Sequence, residues 1–310
     1  MSKQSISDKC LRCNENGDFT VLVVSDPQCD KPYQWQEAAE ELEILVEKEK
    51  PDFVIINGDM ETDNLITMEN WGIFIKPIAK RNIFWSTVNG NHDPFTEKIN
   101  RMYMSFDKCF NETVDSNDEL FEEERPLNYC IPIRANNSEK ITFAIYGMDS
   151  GKDYDGTGWQ GYTPKQIKWY RRCSNKLKEE NGGKALTSLM CCHIPFHEIQ
   201  FMEILHGVCN ENIGCTSANL NFGTFDAIKE QGDVKIAVFG HSHKINRIGK
   251  YEGILLGYAG KISTGSYHDE LARGGRIVKF NQNEPQKVLT YWTGVLPTSV
   301  DQPEVNSLGE

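Results

Sequence analysis

Residues 83–93 read Ile-Phe-Trp-Ser-Thr-Val-Asn-Gly-Asn-His-Asp. Six residues rich in aromatic and β-branched side chains run into an Asn-Gly turn. That pattern predicts a buried strand over Ile83–Val88, with Asn91, His92 and Asp93 delivered just past its C-terminal end. The same design recurs through the chain. Phe19–Ser25 delivers Asp26 and Gln28, and Phe53–Ile56 ends at Asn57-Gly58 and delivers Asp59. Ala185–Cys192 delivers His193, and Val234–Phe239 delivers Gly240-His241-Ser242-His243. Helical patterns lie between the strands. Gln34–Lys48 carries Ala38, Leu42, Ile44 and Leu45 on one side and is stopped by Pro51; Lys165–Asn181 opens with a Thr163 cap and Pro164; Phe222–Gln231 follows later. Strands alternating with helices predict an α/β fold built from parallel units. In such sheets ligands bind in the crevice outside the carboxyl ends of the strands.

The chain has 310 residues, enough for one large domain with a substantial core. No internal repeat or linker divides it. The expected organisation is a polar N-terminal segment over 1–17, one domain over 18–296 and a disordered tail over 297–310. Asp115–Glu124 is acidic and reads as a solvated loop or surface helix. The net charge of −12 argues against a nucleic-acid backbone as partner. It is compatible with a phosphorylated substrate, because bound divalent cations would invert the local field. No stretch is apolar and long enough to span a membrane, and the first residues lack the apolar core of a signal peptide. A cytoplasmic protein without membrane contact is therefore expected. Of the ten cysteines, Cys10 and Cys13 form an unaccompanied CxxC that reads as two free thiols rather than a zinc site. Cys191 and Cys192 read as core packing.

Asp and His side chains suit Zn, Fe or Mn, and Asn adds a neutral oxygen donor. Asp59 can bridge two cations with one carboxylate. A pair of metals about 3.5–4 Å apart can clamp the attacking and leaving oxygens of an in-line phosphoryl displacement. His241 and His243, two apart on an extended segment, point to the same side. Any one of these residues alone is explained by a turn or a satisfied buried histidine. Their joint occurrence after successive strands points to a metal site.

The order Asp26-x-Gln28, Gly58-Asp59, Gly90-Asn91-His92-Asp93, His193 and Gly240-His241-Ser242-His243 resembles the calcineurin-like metallophosphoesterases. Further segments are similar to the branch related to small purple acid phosphatases: Gly158-Trp159 with Thr163–Tyr170, His193-Ile194-Pro195, and Gly232-Asp233-Val234-Lys235. The resemblance spans Leu11 to Tyr291 and implies a four-layer α/β/β/α sandwich, with the metal site at the C-terminal ends of the central strands. It implies two divalent ions, of Mn, Fe, Zn or Mg. Asp26, Gln28, Asp59 and His243 would hold the first; Asp59, Asn91, His193 and His241 would hold the second. It also implies hydrolysis of a small phosphorylated substrate or a phosphoprotein by a metal-bound hydroxide, with His92 as general acid. Phosphomonoesters come before phosphodiesters as expected substrates.

The first motif departs from the family pattern, which usually has Asp-x-His. Gln28 can coordinate through its amide oxygen, but more weakly than imidazole, so the first site is expected to favour Mn or Mg. Cys29 and Asp30 are alternative donors nearby. Thr62 stands where the purple enzymes carry a Tyr, so a colourless protein is expected. His197 and His268 are candidate substrate contacts, and Trp159 and Tyr162 candidate walls of the cleft. The alternative reading is a catalytically weak metal-binding scaffold, favoured by Gln28 and opposed by the presence of His92.

Overall fold

The computed structural model describes residues 11–60, 66–93, 97–111, 127–151, 159, 161–210, 212 and 217–309. Thr62 and the acidic stretch Asp115–Glu124 lie outside the described residues, as does Cys10. The strands in chain order are β1 (Leu11–Arg12), β2 (Asp18–Val24), β3 (Phe53–Asn57), β4 (Phe84–Val88), β5 (Tyr129–Arg134), β6 (Ile141–Met148), β7 (Thr187–Cys192), β8 (Glu203–His206), β9 (Val234–Phe239), β10 (Ile248–Tyr251), β11 (Ile254–Tyr258), β12 (Gly274–Asn281), β13 (Val288–Gly294) and β14 (Val305–Asn306). The helices are α1 (Pro32–Glu49), α2 (Met68–Ala79), α3 (Glu97–Met104), α4 (Pro164–Glu180) and α5 (Thr224–Gln231). None of the described helices is long and apolar enough to cross a membrane.

The strands form two sheets. One has the order β1-β5-β6-β7-β9-β11-β10-β8 and the other β14-β13-β12-β2-β3-β4. The strands that carry the site pair in parallel: β2 with β3, β3 with β4, and β7 with β9. Parallel pairing brings the C-terminal ends of β2, β3 and β4 to one edge of their sheet and those of β7 and β9 to one edge of the other.

Both faces of these strands are apolar, because each sheet is covered on both sides. Val21, Val23, Phe53 and Ile55 of the six-stranded sheet pack against Ile145, Leu189, Ile236 and Val238 of the eight-stranded one. The alternate residues Leu22, Val24, Val54 and Ile56 pack outward with Trp35, Leu42 and Leu45 of α1 and Trp71 and Phe74 of α2. On the far side, Tyr146, Met190 and Ala237 meet Ile167, Tyr170 and Cys173 of α4 and Ile228 of α5. Two facing sheets are thus flanked by helices.

Local sequence accounts for the helix ends. Thr163 accepts from the Gln166 N–H while Gln166 reaches back, a capping box with Pro164 in the first turn. Gly232, at φ 72°, ends α5 in a left-handed conformation. α2 carries Pro77 inside it.

Both termini correct the expected organisation. The polar N-terminal segment contributes β1, which pairs with β5 because Leu11 and Cys13 are buried and the Arg12 guanidinium reaches the carbonyls of Ala135 and Ser138. The expected disordered tail contributes β14, which pairs with β13 and buries Val305 and Ser307.

Candidate metal centre

The edge where the parallel strands end carries a buried cluster of carboxylates and imidazoles. Asp26, Asp59, His193, His241 and His243 are all nearly inaccessible to solvent. Ligand-type atoms of Asp59, His193 and His241 lie within 4.8 Å of one another, and so do those of Asp26, Asp59 and His243. Asp59 belongs to both groups, as a bridging carboxylate would. Four site residues have left-handed backbones: Asp26 at φ 54°, Gln28 at 34°, Asp59 at 52° and His241 at 68°. Such conformations are unfavourable for residues with a Cβ and cluster at functional sites.

Tight packing holds these turns. A Cβ on Gly90 would lie 2.1 Å from Oδ1 of Asp59, and one on Gly240 would lie 2.0 Å from the Ser25 hydroxyl and 2.8 Å from Oδ2 of Asp26. Only glycine allows the approach at either position. Asn57 bridges the two sheets, its amide donating to the carbonyls of Cys192 and Val238. Its own carbonyl accepts from Ser25 and from Nδ1 of His193. A carbonyl can only accept, so Nδ1 of His193 carries the proton and Nε2 is presented to the carboxylates. Nε2 lies 3.2 Å from Oδ2 of Asp59 and 3.8 Å from Oδ1 of Asp26. His243 is set in the same way: Nδ1 donates to the Tyr267 carbonyl at 2.7 Å, and Nε2 lies 3.2 Å from Oδ1 of Asp26.

Asp93, within the Gly-Asn-His-Asp motif, is buried and accepts the N–H groups of Asp59, Met60 and Gly90. It fixes the Asp59 turn. The sequence places Asp93 in a motif without giving it a role and shows Asn57 only as part of a turn.

The buried carboxylates and imidazoles shift one another strongly. Burial would raise the Asp26 carboxyl, yet His193 and His243 hold it below its ordinary value. Asp59 is likewise held down against burial, chiefly by His193. Burial would lower His193, but Asp59 and Asp26 push it up to about 10. Burial and the neighbouring His193 push His241 down to about 3. Burial and the Asp59 charge lift Asp93 to about 7.

The donor set fits divalent cations. Oε1 of Gln28, Oδ1 of Asn91 and Nε2 of His193 are buried without a hydrogen-bond partner. Leaving such atoms unpaired costs about 1–3 kcal/mol each unless an unseen partner satisfies them. Gln28 donates its amide N–H to Oδ2 of Asp59 at 3.0 Å, so its oxygen is the atom left available. Cys29 is fully buried and its thiol, pushed up to about 12 by burial, points to the Pro27 carbonyl. Asp30 accepts the N–H of Ser266.

His92 is exposed, and its backbone N–H donates to Oδ1 of Asp59 at 2.9 Å, which places it at the mouth of the cluster. Trp159 packs edge-on against His241 with ring centres 4.5 Å apart. Tyr162 instead is buried and donates to the Ile194 carbonyl. His197 is exposed with Gln200 and Phe201 as its partners, and His268 pairs with Glu270 at 3.2 Å. Among the described residues, no hydrogen bond, ion pair or ring contact joins either to the buried cluster.

The family model for calcineurin-like phosphoesterases matches residues 19–245. A curated relative from Arabidopsis thaliana, described as "probable inactive purple acid phosphatase 14", is 25% identical over 291 residues, covering 81% of this chain and 72% of that protein. Among solved structures, a dimetal phosphatase from Danio rerio superposes with a TM-score of 0.59 at 10% identity, covering 93% of this chain and 98% of the other. GAP50, described as the anchor in the inner membrane complex of Plasmodium, superposes with a TM-score of 0.54 at 11% identity, covering 91% and 86%. At such identities the structural likeness concerns the fold.

Proposed function

The chain belongs to the calcineurin-like phosphoesterase family, and we propose that it is a metal-dependent hydrolase of phosphate esters, acting on phosphomonoesters before phosphodiesters. The substrate would be a small phosphorylated molecule or a phosphoprotein. Asp26, Gln28, Asp59 and His243 would hold one divalent ion, and Asp59, Asn91, His193 and His241 the other. The ions are Mn, Fe, Zn or Mg, with Gln28 steering the first position towards Mn or Mg. When bound, they supply concentrated positive charge for the phosphate oxygens and acidify a water.

The protein's own residues supply the rest. His193 and His243 are fixed through Nδ1, so that Nε2 faces the carboxylates. Asp93 holds the Asp59 turn in place. His92 at the mouth protonates the leaving oxygen from its ring, and its backbone contact to Asp59 ties that proton donor to the centre of the site. The observation that carries the reading is this conjunction: an exposed histidine bonded through its backbone to the carboxylate shared by two buried ligand groups.

A second reading, a metal-binding scaffold with little turnover, has one observation in its favour. The Gln28 amide N–H occupies Oδ2 of Asp59, the oxygen a bridging carboxylate needs. The word "inactive" in the plant relative's name points the same way.

The test is metal content and turnover together. Metal-stripped protein is reloaded with Mn²⁺ or Zn²⁺, its ions are counted by mass spectrometry, and hydrolysis of p-nitrophenyl phosphate is compared with that of bis-p-nitrophenyl phosphate. The hydrolase reading expects two ions and metal-dependent turnover. Two ions with no turnover above that of His92→Ala would establish the scaffold reading instead.

A further inference from the structure

Residues 261–267 run behind the first motif: Lys261, Ser263 and Gly265 each meet a different part of it, and Tyr267 meets His243. The Lys261 ammonium, fully buried, donates to the main-chain carbonyl of Asp26. The Ser263 hydroxyl, also fully buried, donates to the carbonyl of Pro27. Gly265 backs onto Gln28 so closely that a Cβ there would lie 2.0 Å from the Gln28 carbonyl oxygen. The Tyr267 carbonyl accepts from Nδ1 of His243. The segment is bent rather than extended, with Ser263 and Ser266 in left-handed conformations at φ 80° and 55°.

The segment is itself anchored. Ile262 donates to the Ser25 carbonyl, and the Lys261 backbone exchanges hydrogen bonds with Ala272 and Gly274. Two carboxylates of α1 grip it from the other side: Glu41 accepts the Ser263 N–H, and Glu37 accepts the N–H and hydroxyl of Thr264. Arg273 pairs with both of those glutamates. Asp26 and Gln28 have left-handed backbones that need such outside support.

Asp26, Gln28 and His243 are all reached by this segment. Among the described residues, none of its hydrogen bonds goes to Asn91, His193 or His241. We propose that residues 261–267 set the geometry of the first metal position alone, with Lys261 and Ser263 as its positioning residues. This rests on the two-site reading above. The segment compensates for the weak donor Gln28 by fixing where its turn stands. Partners of metal ligands tune affinity about 10–100-fold when lost.

The experiment titrates Mn²⁺ into metal-stripped wild type, Ser263→Ala, Lys261→Met and Gly265→Ala by calorimetry, with thermal unfolding of the stripped proteins in parallel. The expected result is that one of two binding steps weakens by about tenfold or more while the other is unchanged. Should Lys261→Met fail to fold, Ser263→Ala decides, since it removes one hydroxyl. Equal weakening of both steps, or a lowered melting temperature with both steps intact, would show a merely structural segment and overturn the proposal. A wild type that binds fewer than two ions overturns the two-site reading itself, and is recognised before any variant is made.

Discussion

Oδ2 of Asp93 holds the backbone N–H of Asp59 at 2.8 Å, and the same carboxylate takes the N–H groups of Met60 and Gly90. The loops after two neighbouring strands are thereby locked to each other through one buried side chain. Asp93→Ala leaves three N–H donors without their acceptor, and hydrogen bonds to a charged group contribute about 1.5–3 kcal/mol each. The stripped protein should lose several °C of melting temperature, and metal content should fall at both positions. Unchanged metal content in a folded Asp93→Ala protein would contradict this role.

His92 as a proton donor predicts a dependence on the leaving group. General acid catalysis contributes about 10²–10⁴-fold and matters most where the departing oxygen is strongly basic. His92→Ala should therefore lower kcat far more for an alkyl phosphate than for 2,4-dinitrophenyl phosphate, with metal content unchanged. A uniform loss across leaving groups would place His92 in binding instead.

Gln28→His introduces imidazole where an amide oxygen stands. Tighter binding of Zn²⁺ at one position is expected, by about tenfold, because imidazole suits that ion better. Calorimetric titration measures it. Equal affinity in the two proteins would mean that Gln28 is not a ligand.

Asp233 lies far from this chemistry and joins α4 to the eight-stranded sheet. Its carboxylate accepts the hydroxyls of Tyr146 and Tyr170, both buried, and the N–H of Val234. Asp233→Ala should destabilise the protein by about 2–4 kcal/mol by urea unfolding, since the orphaned groups stay buried. The two metal-binding steps should not change. A loss below about 0.5 kcal/mol would mean that water replaces the carboxylate.

The acid limb of stability should register Glu43. The Arg81 guanidinium and the Lys80 ammonium pull its carboxyl down to about 2. A depressed folded value gives stability that is present above the unfolded value, about 4.3, and is lost as pH falls towards 2. Glu43→Gln should therefore destabilise slightly at neutral pH and converge on wild type near pH 2. Side-chain exposures of 28–50% leave these groups open to solvent screening, so the difference is small. Parallel pH–stability curves for the two proteins would exclude the linkage.

Much of this protein was legible before any coordinates. β2, β3, β4, β7 and β9 announce themselves as apolar runs because strands covered on both faces have no polar side to show. Each run ends in residues whose chemistry is plain from type alone, so Asp26, Asp59, His193, His241 and His243 were named together. β1, β8 and β14 are not legible, since short edge strands take their order from partners distant in sequence. The roles of Asn57 and Asp93 are not legible, because an Asn before a Gly reads as a turn and an Asp ending a metal-type motif shows nothing of the N–H donors it accepts; only the folded chain reveals their partners.

What the sequence determined by itself is the set of chemical groups and the order in which strands deliver them. The tertiary structure decided how those groups are held. Parallel pairing aligned three strand ends in one sheet and two in the other, the two facing sheets brought His193 and His241 over Asp26 and Asp59, and the residue 261–267 segment closed behind Gln28. Contacts between residues more than 200 positions apart leave no local pattern, because the hydrogen bond from Lys261 to the Asp26 carbonyl requires nothing of either residue's neighbours in the chain.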